Sequence, residues 1–370
     1  LISITACGKA EENTAPEEPA AAEQVPEPEP EPAVEPECVL FASDYQYEAG
    51  WVYPSTTVER LFTAVKDAGL KPEGLIYCGD YTNLKGLNKH ETSPEGSIEE
   101  IRQLAAEAFP DLDPDRMVFI QGNHDAMTES LAETGLYDYG DYLVYVLGTE
   151  FDFPWLQGQY HRYDTVEHAA AKMAAVFSVL RVCGETRPVF IAGHVPIHFS
   201  ARTSSLHTTG DNLYSSLVFD VVNEAGEYLD IVYLFGHNHS KGWDSYLGGS
   251  SIFRMPGDTI LIPVFEAGAV NSDVYREEEL NFTYMNAGYT GYDNDSGADD
   301  TLTVSMCLIY PDHLEFRRYA KDGLHVLGAD GAANPYKDDR RLISSDHYAV
   351  RRDSSQTVER KASSWMKAAA

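Results

Sequence analysis

Five short apolar runs in this chain each end on residues that can bind a cation or move a proton. Val39–Ala42 leads into Asp44 and Gln46, and Gly74–Tyr77 leads into Asp80. Met117–Ile120 leads into Asn123, His124 and Asp125. Pro188–Ala192 leads into His194, and Ile231–Phe235 leads into His237 and His239. Carboxylate oxygen, amide oxygen and neutral imidazole nitrogen are the ligands that divalent cations take. Singly, each ending has an ordinary explanation. An Asp after a strand is commonly a turn residue, and Gly-Asp and Gly-His pairs are common turn chemistry. Five endings with the same chemistry, reached in order along the chain, are not accounted for as five unrelated turns.

The elements that must carry these residues follow from hydrophobic periodicity. The apolar runs are short, continuous and rich in β-branched and aromatic residues, as buried strands are. Helical stripes lie between them. Val58, Leu61, Phe62 and Val65 follow a Thr56-x-x-Glu59 capping box; Ile98, Ile101, Leu104 and Ala108 follow Ser97-x-x-Glu100; and Val166, Met173, Val176, Phe177 and Leu180 form a third stripe. Strand–helix–strand alternation predicts crossover connections and a buried, largely parallel sheet. Ligands collect outside the carboxyl ends of such strands, where the five endings fall.

The ordered blocks Asp44-Tyr45-Gln46, Gly79-Asp80, Gly122-Asn123-His124-Asp125, Gly193-His194 and Gly236-His237-Asn238-His239 resemble the calcineurin-like metallophosphoesterase family. That family's pattern is DxH, GD, GNHD/E, GH and GHxH, in this order. The resemblance spans roughly residues 39–325. It implies an α/β fold, a four-layer α/β/β/α sandwich of the metallo-dependent phosphatase type, with two divalent metal ions (Mn, Fe, Zn, Mg or Ca). Carried over, Asp80 bridges the two ions. Asp44, Gln46 and His239 complete one, and Asn123, His194 and His237 complete the other. His124 stands near the scissile phosphate, oriented by Asp125. The stretch Phe282–Gly288 resembles the family's strand ending in Asn-Ala-Gly, and 301–310 with 313–319 reads as a closing hairpin.

These residue types have a physical rationale of their own. Two cations about 3.5–4 Å apart repel unless an anion lies between them, so one carboxylate must bridge. Imidazole and amide ligands fill the other positions without making the site too anionic for a phosphate ester. Two cations lower the pKa of a bound water from about 15.7 toward about 7 and clamp phosphate oxygens during in-line attack. A nearby His124 can protonate the leaving group. The implied activity is hydrolysis of phosphomonoesters or phosphodiesters.

The departure is Gln46, where the family pattern has His. An amide oxygen still ligates, with a bias toward harder cations. Gln46 is also the one sequence feature supporting the alternative, a non-catalytic surface lipoprotein that binds a metal or ligand through a weakened first site. Substrate contacts are expected from the segment after His194: Arg202 can pair with a phosphate oxygen, and His198 and His207 follow the ligand closely. Tyr45, Tyr81 and Asn83 flank ligand positions and are expected to shape the pocket.

Composition narrows the partners. The 370 residues carry 27 Lys+Arg and 59 Asp+Glu, a formal charge of −32. Residues 1–38 hold −9 of this and residues 326–370 hold +2, which leaves −25 on residues 39–325. Nucleic acid is not an expected partner, because phosphate-backbone binding needs clustered Lys and Arg. A small phosphoester substrate is expected. Small residues before Cys7, then Gly8 and a polar tract, resemble the end of a bacterial lipoprotein signal, with Cys7 the lipidated residue. The Pro-Glu repeat of residues 26–32 reads as a stiff, extended stalk. The expected organisation is a signal remnant and disordered stalk (1–38), a catalytic domain (39–325) and a linker or tail (326–370). The expected place is the extracellular side of the bacterial cell membrane, held by a lipid anchor. The five Cys form no disulfide framework.

Overall fold

The computed structural model describes residues 35–48, 54–82, 93–148, 163–197, 215–237, 253–263, 275–291, 302–320, 323–325 and 355–361. Its helices are α1 (Ser55–Asp67), α2 (Glu95–Ala108), α3 (Tyr163–Cys183) and α4 (Ser215–Ala225). Its strands are β1 (Glu37–Ala42), β2 (Gly74–Tyr77), β3 (Met117–Phe119), β4 (Gly135–Asp138), β5 (Leu143–Val146), β6 (Val189–Ala192), β7 (Ile231–Phe235), β8 (Phe253–Arg254), β9 (Thr259–Pro263), β10 (Tyr275–Glu279), β11 (Thr283–Asn286), β12 (Gly288–Tyr289), β13 (Thr303–Ile309), β14 (His313–Ala320), β15 (Gly323–His325) and β16 (Ser355–Glu359).

Two sheets form instead of the single sheet that the residue pattern alone predicts. The larger runs β15-β14-β13-β1-β2-β3, with β12 also on β13 and β16 also on β14. The smaller runs β4-β5-β6-β7-β11-β8, and β9 pairs with β10 separately. Among the strands, parallel pairing joins β1-β2-β3 in one sheet and β5-β6-β7-β11 in the other. The five strands that lead into the candidate ligands therefore divide three and two between the sheets.

Strand alternation explains the layering. Leu40, Ala42, Leu75 and Tyr77 face α1 and α2, while Val39, Phe41 and Ile76 face the other way, into the space between the sheets. In the second sheet Val189, Ile191, Ile231, Tyr233 and Phe235 face α3 and α4, while Phe190, Ala192, Val232 and Leu234 face the inter-sheet core. Both faces are buried, so each run reads as continuously apolar. Three cores between four layers give the α/β/β/α sandwich. Phe41 and Phe190 meet across the seam with ring centroids 5.2 Å apart. Phe41→Ala is expected to lower stability by about 3–5 kcal/mol, read by chemical denaturation. A loss under about 1 kcal/mol would mean that the seam does not hold the sheets together.

Both capping boxes are replaced by prolines. Pro54 and Pro94 precede α1 and α2 with φ −77° and −80°, already helical, and no side-chain capping bond forms at either. Proline's fixed φ starts the helix early, and Pro54 O accepts from Thr57 N and Val58 N at 2.9 and 3.0 Å. Thr56, Glu59, Ser97 and Glu100 thus lie inside the helices. The sequence reading also passed over α4 and the β4–β5 hairpin.

The segment read as linker or tail contributes structure. Strand β16 pairs antiparallel with β14, with Val358 opposite Leu314. Beyond it, Arg360 Nε lies 3.2 Å from Asp230 Oδ2, Lys361 N donates to Asp230 Oδ1 at 2.7 Å and Lys361 Nζ donates to Asn281 O at 2.6 Å. Only Val358 in this strand is apolar, which is too little for a periodic signal. A chain ending at residue 354 is expected to lose about 2–3 kcal/mol, read as a lowered denaturation midpoint, and an unchanged midpoint would show these bonds to be marginal. Among the described residues no helix is long and apolar enough to cross a membrane.

Candidate metal centre

The carboxyl ends of β1, β2, β3, β6 and β7 release their loops toward one place. Close packing there depends on glycine. A Cβ on Gly122 would lie 2.0 Å from Asp80 N, and one on Gly79 would lie 2.7 Å from Gly122 Cα and 2.8 Å from His194 Nδ1. The Gly79-Asp80 and Gly122-Asn123 loops interlock because neither glycine has a side chain. The backbone is also bent sharply at the candidate ligands. Asp44, Gln46, Asp80 and His237 have φ of 57°, 57°, 58° and 69°, and among the described residues they are the non-glycine residues with positive φ. Such conformations cost about 1–3 kcal/mol each and persist where surrounding structure enforces them. Enforcement is visible: Asp44 N donates to Gly79 O at 2.9 Å and Gln46 N to Asp80 O at 3.0 Å.

Asp80 is the hub, with no solvent exposure. Its Oδ1 accepts from His124 N at 2.9 Å and lies 3.3 Å from His194 Nε2, while its Oδ2 accepts from Gln46 Nε2 at 2.9 Å. His194 Nδ1 sits 2.6 Å from Cys78 O, which can only accept, so that nitrogen donates and Nε2 faces the centre. Asn123 Oδ1 lies 3.1 Å from His194 Nε2 and 2.9 Å from His237 Nδ1. The two imidazoles stand nearly edge to face, centroids 5.2 Å apart at 82°. His237 N donates to Asp44 Oδ2 at 2.9 Å. Asp80, His194 and His237 are all buried, and their potential ligand atoms lie within 4.8 Å of one another.

Electrostatics at the hub favour cation binding. Burial alone would raise the Asp80 carboxyl, but His194, His124 and His237 hold it well below the usual range. Burial would depress His194, and the Asp80 and Asp44 carboxylates raise it instead. A divalent cation bound between these groups would compete with a proton on His194. The donor set fits divalent metals: carboxylate, amide oxygen and imidazole, all buried, with Gln46 Oε1 also buried and without a hydrogen-bond partner. The positions expected to bind metals thus meet at Asp44, Gln46, Asp80, Asn123, His194 and His237. His239 lies outside the described residues, as do His198, Arg202, His207, Asn83 and Cys7.

Two expectations change. The Asp125 carboxylate does not orient the His124 ring. Its Oδ2 accepts from Asp80 N at 2.8 Å and Gly122 N at 2.9 Å, and its Oδ1 from Tyr81 N at 2.9 Å and Thr82 N at 3.2 Å. It binds the two interlocked loops together from below. Burial, then the Asp80 charge, pushes Asp125 up to about 7. Tyr45 and Tyr81 are fully buried in the core under α1 and α2. Tyr45 hydroxyl donates to Glu100 on α2 at 2.5 Å, so it anchors the loop carrying Asp44 and Gln46 from the helix side. His124 is partly exposed beside the hub, its Nε2 3.9 Å from Asp80 Oδ2.

Ser43 was not foreseen. Its hydroxyl donates to Cys78 O at 2.9 Å and its carbonyl accepts from Thr290 N at 3.1 Å, tying the β1 and β2 ends to the loop after β12. A small polar residue directly before a ligand is too common to flag this role. A cavity of about 390 Å³ lined by Arg181, Tyr228 and Asp230 contains none of the candidate ligands.

A fold of two sheets between helices, with carboxylate, amide and imidazole gathered at the strand ends, defines a metal-binding α/β sandwich. The sequence matches the calcineurin-like phosphoesterase family over residues 39–241, and the chain belongs to that family, hydrolases acting on phosphoester bonds. No curated protein matches the chain. Solved structures similar to it include a conserved uncharacterized protein, a predicted phosphoesterase, from Streptococcus pneumoniae TIGR4 (11% identity, TM-score 0.33, 89% of this chain and 100% of that one). They also include Chaetomium thermophilum Vps29 (11%, 0.30, 77% and 90%). A third is the Haemophilus influenzae NAD nucleotidase NadN (7%, 0.35, 78% and 54%).

Proposed function

We propose that the chain hydrolyses small phosphomonoesters or phosphodiesters by direct water attack at a two-cation centre built on Asp80. The observation that carries this reading is the divided Asp80 carboxylate, with Oδ1 turned toward His194 and Oδ2 toward Gln46. Asp80, Asn123, His194 and His237 would hold one cation; Asp44, Gln46, Asp80 and His239 would hold the other. Bound cations would supply an acidified water and charge neutralisation for phosphate oxygens. His124, held at Asp80 by its own N–H, would deliver a proton to the leaving alkoxide. Asp125 would keep the two loops in register. Arg202 and His198 would meet the phosphate from the segment after His194. The charge of −25 on residues 39–325 disfavours polyanionic substrates.

The test is turnover of chromogenic mono- and diesters by protein loaded in turn with Mn, Fe, Zn, Ni, Co or Mg. Hydrolysis with at least one is expected. Bound metal without hydrolysis of either ester class would sink the reading and favour a non-catalytic binding role. The Cys7 segment and the Pro-Glu stretch support a lipid-anchored enzyme on the extracellular side of a bacterial membrane. Radiolabelled fatty acid incorporated by the native chain but not by Cys7→Ala would support the anchor, and equal labelling would refute it.

A further inference from the structure

We infer that Tyr284 is a positioning residue for the cation centre: it braces the His194 and His237 loops together and sets the spacing of the two imidazoles. This rests on the cation reading of Asp80, His194 and His237, and it needs neither His239 nor a second ion. Tyr284 lies in β11, fully buried in the core that β6, β7 and β11 share with α3 and α4. Its hydroxyl accepts from Ile197 N at 3.0 Å, three residues after His194. Its ring stacks on Phe235, two residues before His237, with centroids 4.7 Å apart at 21°. One side chain thus bears on both segments that carry the imidazoles.

The strand ladder alone does not reach that far. It ends with Gly193 N donating to Leu234 O at 3.1 Å and Gly236 N donating to His194 O at 2.9 Å. Beyond His194 two tyrosine hydroxyls hold the chain. The Tyr233 hydroxyl donates to Val195 O at the long distance of 3.4 Å, and Tyr284 receives the closer bond from Ile197. Ile197 is fully buried, so its N–H needs an acceptor inside the protein. Pro196 between them has a fixed φ, which stiffens the stretch and carries a shift at Ile197 back to His194. The imidazoles leave little room for such a shift. Both rings lie against Asn123 Oδ1, at 3.1 and 2.9 Å, and with Asp80 their potential ligand atoms lie within 4.8 Å of one another.

The test uses the full chain, stripped by chelator and titrated with Co2+, read by calorimetry and visible absorption. Tyr284→Phe removes only the hydroxyl. It is expected to weaken Co2+ binding by about tenfold or more, as loss of an orienting partner behind a metal ligand does, and to change the d–d spectrum of the bound ion. Tyr284→Leu, which also takes the ring away from Phe235, is expected to weaken it further. Phe282→Leu is the control, since Phe282 packs edge-on to Tyr284 in the same core, centroids 6.2 Å apart at 86°. It is expected to lower the denaturation midpoint while leaving Co2+ affinity and spectrum unchanged. An equal loss of affinity in Phe282→Leu overturns the inference. Native affinity and spectrum in Tyr284→Phe overturn it alone and leave the phosphoesterase reading standing, whereas no Co2+ uptake by the native chain overturns both. If Tyr284→Phe does not fold, hydrogen exchange of the Ile197 amide in the native chain decides. Zn2+ is expected to slow that exchange, because coupling between the bond and the bound ion is reciprocal, and a rate unmoved by Zn2+ overturns the inference.

Discussion

Asp80→Asn is expected to empty the metal centre and reduce kcat/KM by about 10³-fold, roughly 4 kcal/mol of transition-state stabilisation. The substitution keeps the shape and removes the charge. It turns one oxygen of a fully buried carboxylate into an N–H donor, between the donating His124 backbone N–H on one side and the donating Gln46 amide on the other. Whichever way the new amide lies, one partner meets a like group. The buried anion that contributes most to raising His194 is also gone, and with it the carboxylate that the two-cation reading places between the ions. Metal content by mass spectrometry and turnover of a chromogenic ester check the two halves separately. A rate within tenfold of the native enzyme would show that Asp80 does not bridge.

Asp125→Ala is expected to cost about 4 kcal/mol or more in stability, with loss of metal binding as a consequence. Four backbone N–H groups, those of Asp80, Tyr81, Thr82 and Gly122, end on this carboxylate inside the protein. Each buried donor left without an acceptor costs about 1–3 kcal/mol. Relaxation and entering water would recover part of that sum. Asp125→Asn keeps one acceptor oxygen and sets an NH2 against the remaining donors, so it should recover only part of the loss. A purely ring-orienting residue would instead lower turnover while leaving the denaturation midpoint in place, so the two measurements distinguish the roles.

The metal centre was legible because its chemistry sits at strand ends. Asp44, Asp80, Asn123, His194 and His237 follow apolar runs within a few residues, and glycines precede most of them because the loops interlock. Gln46 was recognisable as a departure, but only the structure shows its nitrogen turned to Asp80. The role of Asp125 was not legible, since a carboxylate beside a histidine looks the same whether it serves the ring or the backbone. The helix starts were misread for a related reason: Thr56 and Ser97 have the spacing of caps, but Pro54 and Pro94 reach helical geometry first. The division into two sheets could not be seen locally, because strands buried on both faces have the same composition in either sheet. Strand β16 has one apolar residue to show, and its anchorage comes from Arg360 and Lys361 just beyond it.

The place of β1 in its sheet bears on how the molecule comes to be folded. The strand lies between β2 and β13, with Glu37 opposite Ile309 on one side and Val39 opposite Gly74 on the other. Asp44 and Gln46 hang from its end. This strand of the larger sheet thus waits for a partner more than 250 residues later in the sequence. Pairings so distant in sequence are slow to form. During synthesis β1 has one edge open until β13 has been made. Refolding by dilution should accordingly show its latest phase in probes of the β1–β13 ladder, with cation uptake appearing no earlier than that phase.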